Sequence, residues 1–113
     1  MKLWLDDIRL PPDDTWWHVR TAEDAMALIR TGAVEVASLD HDLGGRLANV
    51  GKDMYNYLQA TGFQLVLQMQ LENVYPKSSI TIHSSNLQGA FNMQRVLSQF
   101  VPYQVGLAPL PPV

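Results

Sequence analysis

Short apolar runs along this chain alternate with segments whose apolar residues recur at helical spacing. Leu3-Trp4-Leu5 is the first such run and reads as a short strand, apolar throughout as central parallel strands are. Asp6-Asp7-Ile8-Arg9 leave it, and Pro11-Pro12-Asp13-Asp14 block an ordinary helix for several residues. Trp16 to Arg20 predict a second strand. Thr21 is a good helix N-cap, with Asp24 at the capping-box position. Ala22, Ala25, Met26 and Ile29 then follow one helical stripe, which Gly32 closes. Val34 to Leu39 predict the third strand, which runs into Asp40-His41-Asp42-Leu43-Gly44-Gly45.

The middle of the chain is harder to read. Gly44 to Ala60 fits either a flap or, over Asp53 to Leu58, a turn or two of helix. Thr61-Gly62 opens the next helix, with Phe63, Val66, Leu67, Leu71 and Val74 as its apolar stripe; Leu65 to Leu71 also alternate at period two, but Gln, Leu and Met favour helix. Pro76 ends it, and Ile80-Thr81-Ile82 predict a strand that runs into His83-Ser84-Ser85-Asn86. Asn86 can cap a helix with Ala90, Met93, Leu97 and Phe100 on one stripe. Tyr103, Val105 and Leu107 alternate as an edge strand would, and the proline-rich tail from 108 to 113 cannot join a central strand.

This order of strands and helices predicts one α/β domain over residues 1–113. The expected form is a small flavodoxin-like or receiver-like three-layer sandwich with a mainly parallel central sheet. Its first crossover helix is reduced to a proline-rich loop.

Composition narrows the function. With 113 residues and a net charge of −3, the chain offers no basic footprint for duplex nucleic acid. It has no cysteine, which excludes thiolate metal sites and cysteine nucleophiles. No apolar run reaches membrane-spanning length and no signal-peptide core follows Met1-Lys2, so a soluble cytoplasmic protein is expected. Charged residues are 17% of the chain, a low share that hints at a homo-oligomer.

Three strand ends carry the candidate chemistry: Asp6-Asp7, Asp40-His41-Asp42 and His83-Ser84-Ser85-Asn86. In open α/β sheets ligands bind at such carboxyl ends. Any one aspartate could be a solvated turn residue, but Asp6 and Asp40 together suggest a site. Crowded carboxylates repel, and a hard divalent cation relieves that repulsion. His41 and His83 could act as base and acid in either order, because histidine titrates near neutrality. Ser84 and the helix start at Asn86 could cradle a phosphate, although plain N-capping is the simpler role for Asn86. Arg9, and less directly Lys52, could neutralise phosphate charge. His18 lacks a partner and reads as structural.

Leu5-Asp6-Asp7-Ile8-Arg9, Val19-Arg20-Thr21, Ser38-Leu39-Asp40-His41-Asp42-Leu43-Gly44, Thr61-Gly62, His83-Ser84-Ser85-Asn86 and Asn92-Met93 occur in that order. Together they resemble cyclic-phosphate processing receiver domains, over roughly residues 2 to 97. The resemblance implies a receiver fold in which Asp6, Asp7 and Asp40 match the metal-binding and phosphoacceptor positions of ordinary receivers. The lysine that receivers carry after their fifth strand has no counterpart in Gly106-Leu107-Ala108-Pro109. That departure points away from phosphorelay, and the added His41 and His83 point toward hydrolysis.

The expected function is a metal-assisted phosphoesterase acting on a cyclic phosphate, either a cyclic nucleotide or a 2′,3′-cyclic RNA end. Asp6, Asp7 and Asp40 would hold Mg²⁺ or Mn²⁺ with Asp42 in support, His41, His83 and Asp40 would be catalytic, and Arg9, Ser84 and Asn86 would hold the phosphate. The alternatives are a non-catalytic binder of a phosphorylated nucleotide or protein partner, and a receiver phosphorylated on Asp40.

Overall fold

The computed structural model describes residues 1–43 and 61–110. Strands β1 (Lys2–Leu5), β2 (Trp16–Val19), β3 (Val36–Leu39), β4 (Ser79–Ile82) and β5 (Val105–Leu107) form one parallel sheet in the order β2-β1-β3-β4-β5. The described helices are α1 (Ala22–Arg30), α2 (Gly62–Glu72) and α3 (Leu87–Leu97). This is the flavodoxin-like order expected from the sequence. No described helix is long and apolar enough to cross a membrane.

Side chains alternate between the two faces of a strand, so the register assigns each face its residues. Leu3 and Leu5 lie level with Ala37 and Leu39, then with Ile80, Ile82 and Val105. All of these are buried in one core with Ala25, Met26 and Ile29 of α1, Leu65 and Met69 of α2, and Met93 and Leu97 of α3. The chain steps the same way along the sheet from β2 to β3, β3 to β4 and β4 to β5. Right-handed crossovers therefore put all three helices on this one face. There α1 packs on α2, and α2 on α3.

The step from β1 to β2 runs the other way, and its crossover belongs on the opposite face. As expected, a loop replaces a helix there, because Pro11-Pro12 cannot continue one. Among the described residues, that face is covered by irregular chain. The indole Nε1–H of Trp4 donates to the Arg9 carbonyl at 2.9 Å, and the Ala108 N–H donates to the Ile82 carbonyl at 2.9 Å, anchoring the loop and the tail respectively. Among the described residues, the outer layer on this side is thus loop and tail.

Local signals acted largely as read. Thr21 caps α1 by accepting from the Asp24 N–H at 3.1 Å, and Gly32 takes a positive φ of 78° just beyond it. Arg30 of α1 grips Glu72 of α2 with two bonds of 2.8 and 2.6 Å, and Gln68 also donates to Glu72. Helix α2 differs in phase from the expected stripe. Its buried residues are Gly62, Leu65, Val66 and Met69, and Leu71 is 81% exposed. The reason is a backbone contact: a Cβ on Gly62 would lie 1.9 Å from the Asp40 carbonyl oxygen, and the Gly62 N–H donates to the His41 carbonyl at 2.6 Å. That approach turns the Gly62 side of the helix inward. In α3, Ala90, Met93 and Leu97 are buried as expected, but Phe100 lies past the helix end and is exposed. The flap, the Asp53 to Leu58 helical turns, Lys52 and Gly44-Gly45 lie outside the described residues.

Candidate functional site

The carboxyl ends of β1, β3 and β4 lie side by side, and each delivers polar residues there. Asp6 and Asp7 follow β1, Asp40 follows β3, and one carboxylate oxygen from each lies within 4.8 Å of the others. Asp6 and Asp40 are buried. The structure therefore brings together the acids that the sequence placed at separate strand ends. Asp42 is not part of this group.

The two buried acids have different surroundings. Burial alone would raise the Asp6 carboxyl. Its bond with His83 and the N–H groups of Arg9 and Ile8, both 2.8 Å from Oδ1, outweigh that and hold it below the usual value. Asp40 lacks such compensation. Burial first, and then the charge of Asp6, push it up to about 7, against the Ser84 hydroxyl, Arg9 and the His41 N–H. Arg9 lies at the cluster, its guanidinium 3.7 Å from Asp6 Oδ2. Neighbouring carboxylates forced this far apart in acidity form a site that favours a bound cation or a retained proton. The all-oxygen donor set fits a hard divalent ion, so Asp6, Asp7 and Asp40 could hold one.

The two histidines have different settings. His41 Nδ1–H donates to Asp42 Oδ1 at 2.6 Å, and the Asn86 amide donates to the same oxygen at 3.2 Å. The ring rests on the first turn of α3, where a Cβ on Gly89 would come within 2.5 Å of it. His41 is thus oriented by a carboxylate and backed by a helix, and among the described residues only its Nδ1 is engaged. His83 is enclosed. It stacks on Trp4 at 3.9 Å with ring planes 8° apart, its Nε2 meets Asp6 Oδ2 at 3.1 Å, and its Nδ1 meets Ser38 Oγ at 2.7 Å. Both nitrogens are engaged and the ring is fully buried, so His83 acts on Asp6 and not on solvent.

The expected phosphate ligands are each partly committed. Ser84 bonds Asp40 and accepts from the Asn86 N–H at 3.1 Å. Asn86 caps α3 by accepting from the Gly89 N–H at 2.9 Å, the simpler of its two expected roles. His18 is structural, as read: its Nε2–H donates to the Asp6 carbonyl at 2.6 Å. Sequence reasoning missed Ser38, Trp4 and Gly89. A serine inside an apolar strand and a glycine inside a helix were the signals that could have marked two of them.

No curated protein matches this sequence. Among solved structures, the chain is similar to a signal receiver domain assigned to a Luxo repressor protein of Vibrio parahaemolyticus. The TM-score is 0.54 at 16% identity, over 97% of this chain and 79% of that one. At that identity the likeness concerns the fold. The pattern of the cyclic-phosphate processing receiver domain matches residues 1–99, nearly the whole sheet and every site residue named above. By that match, borne on the parallel sheet and its acidic strand ends, the chain belongs to the cyclic-phosphate processing receiver domain family.

Proposed function

We propose that this domain hydrolyses a cyclic phosphate ester at the acid cluster, with His41 as the group that exchanges a proton with the reacting oxygens. The observation that carries this reading is the His41–Asp42 pair. A carboxylate on Nδ1 selects the tautomer that leaves Nε2 free, and general acid–base catalysis needs that arrangement. A receiver that only accepts phosphate has no use for it. When bound at Asp6, Asp7 and Asp40, a divalent cation would neutralise phosphate charge and lower the barrier to attack on phosphorus.

The chain's own residues do the rest. Asp6 is held rigid by His83 and two backbone N–H groups. Ser84 and Arg9 supply a hydroxyl and a positive charge beside the phosphate, and Asn86 keeps Asp42 in line with His41. His83 orients Asp6 in this reading and transfers no proton to substrate.

A second reading, phosphorylation of Asp40, draws on the receiver fold and the Asp40–Ser84 bond. The two part on one experiment. The protein is incubated with 2′,3′-cyclic and 3′,5′-cyclic nucleotides, with and without Mg²⁺ or Mn²⁺, and separately with acetyl phosphate. Metal-dependent turnover lost in Asp40→Asn and in His41→Ala supports hydrolysis. Binding without turnover sinks it. A stable adduct lost only in Asp40→Asn favours the receiver.

A further inference from the structure

The face of the sheet opposite the helices holds a pocket of about 330 Å³. That volume lies at the lower end of the range usual for small-molecule sites. It is lined by the indoles of Trp4 and Trp16, by Pro109 and Leu110 of the tail, and by Ser38, Thr81 and the His83 ring. Trp4, Ser38 and Thr81 lie level on adjacent strands, so the floor is built by the sheet itself. His83 lines the pocket as well and bonds Asp6 through Nε2, so it is the side chain shared by the pocket and the acid cluster, while none of the three clustered acids lines the pocket.

The lining specifies its ligand. The two indoles meet at 73° with centroids 5.7 Å apart, so a flat ring lying on one presents its edge to the other. The one ionisable side chain in the lining is His83, whose two nitrogens are already engaged by Asp6 and Ser38; Lys2 sits over the Trp16 ring without being part of the lining. An anion or cation would lose its hydration there with no uncommitted counter-charge. The floor has a direction as well. Thr81 Oγ1–H donates to Ser38 Oγ at 3.1 Å, and Ser38 Oγ lies 2.7 Å from His83 Nδ1. With its proton committed to Ser38, Thr81 Oγ1 can only accept.

We propose that this pocket is a second ligand site, for a flat uncharged heteroaromatic ring with an N–H donor on its edge, the chemistry of a nucleobase. The ring lies on Trp16 with its edge toward Trp4, whose own face is stacked on His83, and its N–H donates to Thr81. The site takes no phosphate, and it does not depend on whether the acid cluster hydrolyses anything.

Tryptophan fluorescence of the whole chain tests this with two probes. In 9-methyladenine the exocyclic amine is the sole N–H donor; N6,N6,9-trimethyladenine keeps the ring without it. The first should bind saturably, and the second about tenfold or more weakly, the value of one hydrogen bond made in a desolvated site. Thr81→Val should weaken the first probe by a similar factor while Asp40→Asn leaves it unchanged. Absence of saturation at the solubility limit, or equal binding of the two probes, overturns the proposal. So does loss of binding in Asp40→Asn with Thr81→Val unaffected, which would put the probe at the acids. If Thr81→Val does not fold, the two-probe comparison on the unaltered chain decides alone.

Discussion

Replacing Asp40 with asparagine keeps the shape of the side chain and removes the charge that burial and Asp6 oppose. In the unfolded chain Asp40 ionises near 3.8, while in the fold it keeps its proton up to about 7. Between those values the folded state binds more protons than the unfolded one, so this group makes stability fall as pH rises. Its cost is absent below 3.8 and complete above about 7. At about 1.4 kcal/mol per unit of pH, the full penalty reaches up to about 4 kcal/mol. Asp40→Asn should therefore be more stable than the parent at pH 8.5 by a few kcal/mol, and nearly equal to it at pH 4. Urea unfolding of both proteins without metal, across that range, measures this. Saturating Mg²⁺ should close the gap at high pH by stabilising the parent alone, since the variant lacks one of the three carboxylates. Equal midpoints at all pH values would show that Asp6 and Asp40 do not strain one another, and the case for a cation site would lose its physical basis.

His83→Phe keeps the stack on Trp4 but frees Asp6, and should weaken Mg²⁺ or Mn²⁺ binding roughly 10- to 100-fold, read by calorimetric titration. Gly89→Ala favours helix by up to about 1 kcal/mol yet drives a Cβ into the His41 ring; the His41 imidazole resonances should shift and turnover should fall without loss of α3. Gly62→Ala must push α2 off the Asp40 carbonyl and should cost about 1–3 kcal/mol or more in chemical denaturation. Arg30 and then Gln68 hold the Glu72 carboxyl down at about 2, so its contribution to stability is present above 4.5 and lost as pH falls through about 2. Glu72→Gln should flatten that part of the acid denaturation curve.

The sheet and its three acidic strand ends were legible because each strand is a short apolar run that stops at a polar one. Leu3-Trp4-Leu5, Val36 to Leu39 and Ile80 to Ile82 behave in this way, and a parallel sheet buried by helices requires it. The caps at Thr21 and Asn86 were legible for the same kind of reason, since each residue type satisfies an orphan N–H locally. Less visible was anything that depends on where two backbones meet. Helix α2 carries apolar residues on several sides, so its periodicity could not choose a phase; the approach of Gly62 to Asp40 chose it. The different duties of the two histidines were hidden likewise. Both follow a strand, and only Trp4, Ser38 and Asp6 around one ring, and Asp42 and Gly89 around the other, separate them.

The face of the sheet on which none of the described helices packs has a consequence for motion. A helix over that face would hold itself together through its own ladder of hydrogen bonds. The chain that lies there is rich in proline: Pro11 and Pro12 in the loop and Pro109 in the tail have no N–H to give. The loop is anchored by the Trp4 indole on the Arg9 carbonyl and by the Ile8 and Arg9 N–H groups on Asp6, the tail chiefly by the Ala108 amide on Ile82. Lifting the tail beyond Ala108 breaks little backbone bonding and leaves the helical core intact. Such a segment opens at a small fraction of the free energy of global unfolding. Amide hydrogen exchange should therefore be faster at Leu110 in the tail than in α1 to α3, a difference that a helix packed over the tail would abolish.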